Sequence, residues 1–365
     1  MKNYFALFII TVLLFCCQNS KKNNNPTSAG EVEIASSVLV QNLNFPWEIL
    51  WGPDNMIWMT ERGGRISKVN PASGVVTPLL TIAEVQSNGE GGLLGMALQP
   101  NFSAIPHVFV AYDYDQSGTY KEKIVRYTYN GTTLTNPLTI IDNIAASGIH
   151  NGCRLLITAD LKLFITTGDA SNQSNPQNNS SVNGKILRLN LDGTIPTDNP
   201  VAGNPLWTKG NRNAQGLVFA NNILYSSEHG PDTDDEINII EKGRNYGWPD
   251  VKGFCDNSSE QNFCTTNNVK EPLKVWTPTA AVCGLDYYDK NLIPQWKNSL
   301  LLVALKNARL YQLKLNNAHT GITETNEFFK NDYGRMRDVC ISPEGKVYIC
   351  TSNGGNDKII EVKNK

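Results

Sequence analysis

The chain has 365 residues, with 32 Lys plus Arg against 34 Asp plus Glu, a formal net charge of −2, 18% charged and 40% hydrophobic residues. That hydrophobic share excludes a disordered chain, and a near-neutral balance without a basic block excludes a nucleic-acid surface built to neutralise phosphates. Low charge with 29 Gly and many Asn and Thr suits an all-β protein rich in turns.

Residues 1–17 (MKNYFALFIITVLLFCC) place one Lys ahead of an apolar stretch, Tyr4 to Phe15, that is too short for a permanent membrane helix and reads as an export signal. Its Leu14-Phe15-Cys16-Cys17 end resembles a bacterial lipoprotein signal with Cys17 as the lipidated residue, a plain secretory signal being the alternative. The expectation is an exported lipoprotein on a bacterial membrane, facing periplasm or cell surface and touching the membrane only through that anchor. Residues 18–36, rich in Asn, Ser and Lys, read as a flexible tether, and 37–365 as one folded domain. Export makes the remaining cysteines disulfide candidates. Cys255 and Cys264 bracket a polar loop and form the best pair; Cys340 and Cys350 flank a turn, and their pairing stays open.

One phrase then recurs: a short apolar strand, a turn rich in Pro, Asp, Asn and Gly, and a second strand. It occurs as WEILWGPDNMIWMTE (47–61), LLGMALQPNFSAIPHVFVAY (93–112) and RLLITADLKLFITTG (154–168). It returns as GLVFANNILYSSE (216–228), GLDYYDKNLIPQWKNSLLLVAL (284–305) and VCISPEGKVYICTS (339–352). Apolar and β-branched runs separated by such turns are hairpins. Six copies along the chain predict a six-bladed β-propeller with four-stranded blades.

Five clusters carry chemistry-bearing residues. GIHNGCRLL (148–156) sets His150 in a loop before a strand, and ITTGDAS (165–171) sets Asp169 at the end of that strand's partner. Ends of one hairpin lie close, so Asp169 is placed to orient the imidazole, a side chain suited to taking a proton near neutral pH. KGNRNAQGL (209–217) offers Arg212 and Asn213. SSEHGPDTDDEIN (226–238) offers backbone oxygens at Gly230-Pro231 followed by carboxylates, the ligand type that Ca²⁺ takes. Lys306, Arg335 and Arg337 add cations; the two arginines, two apart on a strand, share a face and suit a multiply anionic ligand.

From PWEILW (46–51) to KIIEVK (358–363), the stretches GLLGMALQP, HNGCRL, TTGDAS, GKILRLNLDGTIPTDNP, GNRNAQGL, SEHGPDTDDEIN, KGRNYGWPDV and RMRDVCISPEG follow one another in order. In these the sequence resembles the soluble pyrroloquinoline quinone (PQQ)-dependent glucose and aldose sugar dehydrogenases. The resemblance implies a six-bladed propeller that oxidises the C1 hydroxyl of an aldose to a lactone, using PQQ and Ca²⁺ and an external electron acceptor. It implies His150 as general base, Asp169 as its supporting carboxylate, and Arg212 over the quinone's reacting carbonyl. Asn213, Lys306, Arg335 and Arg337 match cofactor-holding positions, and Trp276 an aromatic at the substrate mouth. The carbonyls of Gly230 and Pro231 match ligands of the cofactor's Ca²⁺; Glu236, the backbone of Tyr246, and Asp256 match a second, structural Ca²⁺ site. Glu90 stands among the cofactor positions where the family commonly has Gln, and Ile149 where glucose dehydrogenases often have an acid. The long insertions of the dimeric glucose enzyme are missing, which points to the compact aldose branch and a monomer. Two other functions compete: a cofactor-free propeller of the same family that binds protein or carbohydrate, and a Ca²⁺-dependent hydrolase or lactonase.

Overall fold

A computed structural model describes residues 30–365; the export signal and most of the tether lie outside these residues. The expected propeller is present, as six four-stranded antiparallel sheets. Five blades take their strands in chain order, spanning 46–81, 93–145, 152–209, 214–276 and 282–328. The sixth joins three strands between Met336 and Asn364 to the strand Ile34–Leu43, which pairs with Asp357–Asn364 and forms the blade's outer edge. The tether reading therefore overran by several residues. Ile34, Ala35 and Ser36 pair with Asn364, Lys363 and Val362, and Val32 is held by Gln295. This strand looks like tether because its partner lies at the other end of the chain. Pairing first with last strand closes the ring and leaves no unpaired break between blades.

Burial grades outward from the axis, which explains the residue choice in each strand. An inner pair such as Ser299–Ala304 is buried throughout, because neighbouring blades cover both of its faces. An outer strand such as Ile322–Phe328 (ITETNEF) is mostly exposed and correspondingly polar. Aromatic side chains fill the wedges between blades; Trp58 meets Phe102 and Tyr129 edge-on, with ring centroids 5.6 and 5.1 Å away. One helix, Ser258–Asn267, interrupts blade four and is capped by Asn257, which accepts from the Glu260 backbone N–H at 3.1 Å. The expected Cys255–Cys264 disulfide ties this helix to the loop before it. Cys340 and Cys350 are buried free thiols, set by register opposite Tyr348 and Asp338 rather than each other.

The six innermost strands share a feature that shapes the axis. Each has a register shift just after its first residue: after Pro46, Leu93, Gly152, Ala214, Val282 and Met336. Such bulges re-aim side chains. The residues following these six form one layer around the axis: Trp47, Leu94, Cys153, Gln215, Cys283 and Arg337. The layer beneath runs, in blade order, Glu48, Gly95, Arg154, Gly216, Gly284 and Asp338. A Cβ on Gly284 would stand 1.9 Å from Asp338 Oδ1, and one on Gly95 2.0 Å from the Cys153 carbonyl oxygen, so Gly284 makes room for the Asp338 side chain and Gly95 for the neighbouring strand. Arg154, fully buried, donates to Glu48 Oε2 at 2.5 Å, to Asp338 Oδ2 at 3.1 Å and to the Gln215 carbonyl at 2.8 Å. Its guanidinium lies over the Trp47 ring at 4.4 Å. This ionic layer separates a cleft at one end of the axis from a larger cavity at the other.

Blade two holds a second buried charge feature. Asp113 and Glu122 are directly paired across neighbouring strands and both are buried. Burial pushes Asp113 up to about 7; burial and then Asp113 push Glu122 well above the usual carboxylate range. The folded state thus retains protons that the unfolded chain releases near pH 4, so this pair stabilises least at high pH. Thermal unfolding should show stability falling between pH 5 and 8, by up to about 1.4 kcal/mol per pH unit for each such group. Glu122→Gln should flatten that slope; an unchanged slope would contradict the assignment.

Candidate active site

The cleft lies where the loops entering blades two, three, four and six converge, and Trp47, Leu94, Gln215 and Arg337 of the bulged layer form its floor. Glu90, Asn151, Gly152 and His229 form its walls.

On one side is a linear arrangement of three sequence-expected residues. His150 precedes its strand with φ 63°, a left-handed conformation that turns the imidazole back toward its own hairpin. Its Nδ1 is 2.8 Å from Asp169 Oδ1, and its Nε2 is 2.9 Å from Arg212 Nη2. A guanidinium only donates, so Nε2 is the accepting nitrogen and Nδ1 carries the proton given to Asp169. Asp169 is 1% exposed. Its Oδ2 accepts from Trp248 Nε1 at 2.9 Å, its Oδ1 also accepts from the Ser171 N–H at 2.8 Å, and its own N–H donates to the Arg212 carbonyl at 2.8 Å. Burial raises this carboxyl, but the His150 hydrogen bond and charge, with the Trp248 and Ser171 donors, outweigh it and hold Asp169 below its ordinary value. The carboxylate stays ionised and fixes the tautomer that leaves Nε2 basic.

Arg212 is fixed just as tightly. Its backbone N–H donates to Glu228, its Nη1 donates to the His229 carbonyl at 3.1 Å, and its guanidinium lies 5.2 Å from the Trp248 ring centroid. Asn213 receives the Gly152 N–H at 3.1 Å and the Gln215 amide at 2.9 Å on its Oδ1.

The opposite side of the cleft is cationic. Arg337 is buried, with Nη1 donating to Gln215 Oε1 at 2.9 Å and to the Cys283 sulfur at 3.1 Å. Arg335 is exposed beside it; burial of its inner part and the Arg337 charge lower its pKa. Arg62, unmarked in the sequence, joins them from blade one, where its Nη2 donates to the Gly89 carbonyl at 2.6 Å. Burial and Arg337 lower its pKa as well, while Glu90 opposes them. Glu90 is therefore balanced by surrounding guanidinium groups; its Oε2 is 3.5 Å from the His150 N–H.

Five buried polar atoms at this end of the axis have no hydrogen-bond partner: Arg62 Nε, Asn213 Nδ2, His229 Nε2, Arg212 Nε and Arg337 Nε. Buried polar atoms are normally paired, and five orphans in one place mark a polar ligand's seat.

A second cleft adjoins the first and is lined by Arg212, Glu228, Gly230, Pro231, Glu236 and Tyr246, among others. The Gly230 and Pro231 carbonyls accept no hydrogen bond from the described residues. Burial, then Glu228, pushes Glu236 up to about 8, and burial raises Glu228 too. Free carbonyls near mutually repelling carboxylates suit a hard cation, although no group of three or more His, Cys, Asp or Glu among the described residues is arranged to hold a metal.

Of the expected residues outside both linings, His150, Asp169 and Asn213 bond directly to lining residues and Arg335 adjoins Arg337, whereas three others stand apart. Lys306 is exposed and donates to Thr279 Oγ1 at 3.2 Å. Asp256 is exposed in the loop before the helix. Trp276 ends the outer strand of blade four, where it packs against Tyr311 at 5.4 Å and under Lys274 at 5.2 Å. Sequence reasoning missed Trp248, Gln215, Glu228, His229 and Arg62. Trp248 and His229 lie in the quoted motifs KGRNYGWPDV and SEHGPDTDDEIN, which were the available signal.

Comparison with known proteins identifies the family. Residues 43–361 match the family model described as Glucose / Sorbosone dehydrogenase. Quinoprotein glucose dehydrogenase B of Acinetobacter calcoaceticus is 34% identical over 415 residues, covering 87% of this chain and 85% of the relative. Aldose sugar dehydrogenase YliI of Escherichia coli is 30% identical over 349 residues, covering 90% and 93%. The PQQ-bound aldose sugar dehydrogenase of Streptomyces coelicolor superposes with a TM-score of 0.79 at 30% identity, covering 92% of this chain and all of that one. The chain belongs to the glucose/sorbosone dehydrogenase family.

Proposed function

We propose that the protein oxidises an aldose at its C1 hydroxyl to the lactone, with PQQ and Ca²⁺ as cofactors and an external electron acceptor. The observation that carries this reading is the Asp169–His150–Arg212 chain, which fixes the imidazole with Nε2 as its accepting nitrogen, beside five unsatisfied polar atoms. His150 Nε2 takes the hydroxyl proton. Asp169 stabilises the imidazolium that results, and Trp248 and Ser171 keep that carboxylate ionised and aimed. Arg212, already next to Nε2, places a fixed positive charge where negative charge develops. PQQ, when bound, supplies the acceptor for the C1 hydride. Arg335 and Arg337 would hold its carboxylates, with Asn213 along the ring; Lys306, expected with them, bonds Thr279 in the blade-five loop and would have to turn to join them. The Gly230 and Pro231 carbonyls would hold the cofactor's Ca²⁺; Glu236 with the Tyr246 backbone would serve the structural ion.

The shorter alignment with the Escherichia coli relative supports a compact aldose-type enzyme. The Cys255–Cys264 disulfide supports export to an oxidising compartment. Apo-protein supplied with PQQ, Ca²⁺ and a redox dye should reduce the dye on addition of aldoses and fail when either cofactor is omitted. A chain that retains no PQQ would instead act as a binding propeller.

A further inference from the structure

The His229 ring lies outside the Asp169–His150–Arg212 chain, yet it occupies the junction of the two clefts and lines both. Its backbone carbonyl anchors Arg212, whereas its ring does something separate. The ring's one hydrogen bond is to the Val282 backbone, of the kind that favours a proton on the ring. Nε2 is buried and has no partner, so that bond belongs to Nδ1 and the Nε2 lone pair is free. Arg212 and Arg337 are both close enough to act on the ring electrostatically. A buried acceptor without a donor costs about 1–3 kcal/mol unless a ligand satisfies it. This atom is buried without a protein partner at the junction of the two clefts.

We infer that His229 is a cofactor-binding residue whose Nε2 accepts a hydrogen bond from an N–H or O–H donor of the bound quinone, which in PQQ is the pyrrole N–H. The inference rests on the cofactor reading and adds an acceptor between the guanidinium groups of Arg212 and Arg337 and the second cleft. Such an acceptor selects the orientation of a tricarboxylate that guanidinium groups alone would grip in several ways.

The test is equilibrium binding of PQQ to Ca²⁺-loaded apo-protein without sugar, followed by quenching of tryptophan fluorescence. His229→Phe keeps a ring of similar size but no acceptor and should raise the dissociation constant about tenfold. His229→Gln restores an acceptor and should recover most of that loss. Wild-type affinity in His229→Phe overturns the inference. A second readout needs no substitution: the His229 Nε2 resonance in ¹⁵N-labelled protein should shift on adding PQQ, and an unmoved resonance in the saturated protein overturns the inference as well. Failure of the unaltered protein to bind PQQ would show before either comparison and would remove the cofactor reading itself.

Discussion

His150→Ala should lower aldose-dependent turnover by about 10²–10⁴-fold, the range that a positioned general base contributes, while PQQ still binds. The separation follows from the geometry. The imidazole contacts Asp169 and Arg212 and has no contact with Arg337, whose partners are Gln215 and Cys283. Losing it removes the proton acceptor and leaves the cationic wall intact. Asp169→Asn should cost less, since the ring survives, but it loses the acceptor that fixes the tautomer. Steady-state kinetics with PQQ binding measured separately decide the matter. Near-normal turnover in His150→Ala would remove this residue from the chemistry.

The largest effect on stability should come from Arg154→Met. Arg154 pairs with both Glu48 and Asp338 in a layer where all three are nearly inaccessible to water. Burial alone would lower its pKa, yet the Asp338 and Glu48 charges prevail and raise it. Removing one member of a buried ionic group strands the others, at a cost of about 3–5 kcal/mol. Here two carboxylates are stranded. Burial raises both their pKa values even with the guanidinium present, so the variant should take up protons on folding and be least stable at high pH. Adding Glu48→Gln and Asp338→Asn should recover much of the loss, because a neutral layer no longer holds unpaired charge. Denaturant titration of the single and triple variants measures this, and a single variant within about 1 kcal/mol of wild type would refute the pairing.

The blade count was legible because each blade writes its own local signal: two apolar strands about a turn of Pro, Asp, Asn or Gly. The His150–Asp169 contact was legible for the same reason, as both sit at one end of a single hairpin. What the sequence concealed depends on partners far along the chain. The strand Ile34–Leu43 is half polar and makes sense only beside Asp357–Asn364. Trp248 reaches Asp169 from 79 positions away. Gln215, Cys283 and Arg337 meet at the axis only because bulges in three separate blades turn them inward. Trp276 was expected at the mouth by resemblance; its place beside Tyr311 in the outer layer depends on how blades four and five pack.

The central claim is that this cleft joins an aldose to a bound quinone. Its most direct test is anaerobic mixing of PQQ- and Ca²⁺-loaded protein with one equivalent of aldose, no electron acceptor present. The account predicts that the absorption of the bound cofactor changes to that of its reduced form, with one lactone formed per cofactor. His150→Ala should bind PQQ yet show the change only very slowly. An unaltered spectrum, with PQQ bound and aldose in excess, would contradict the account.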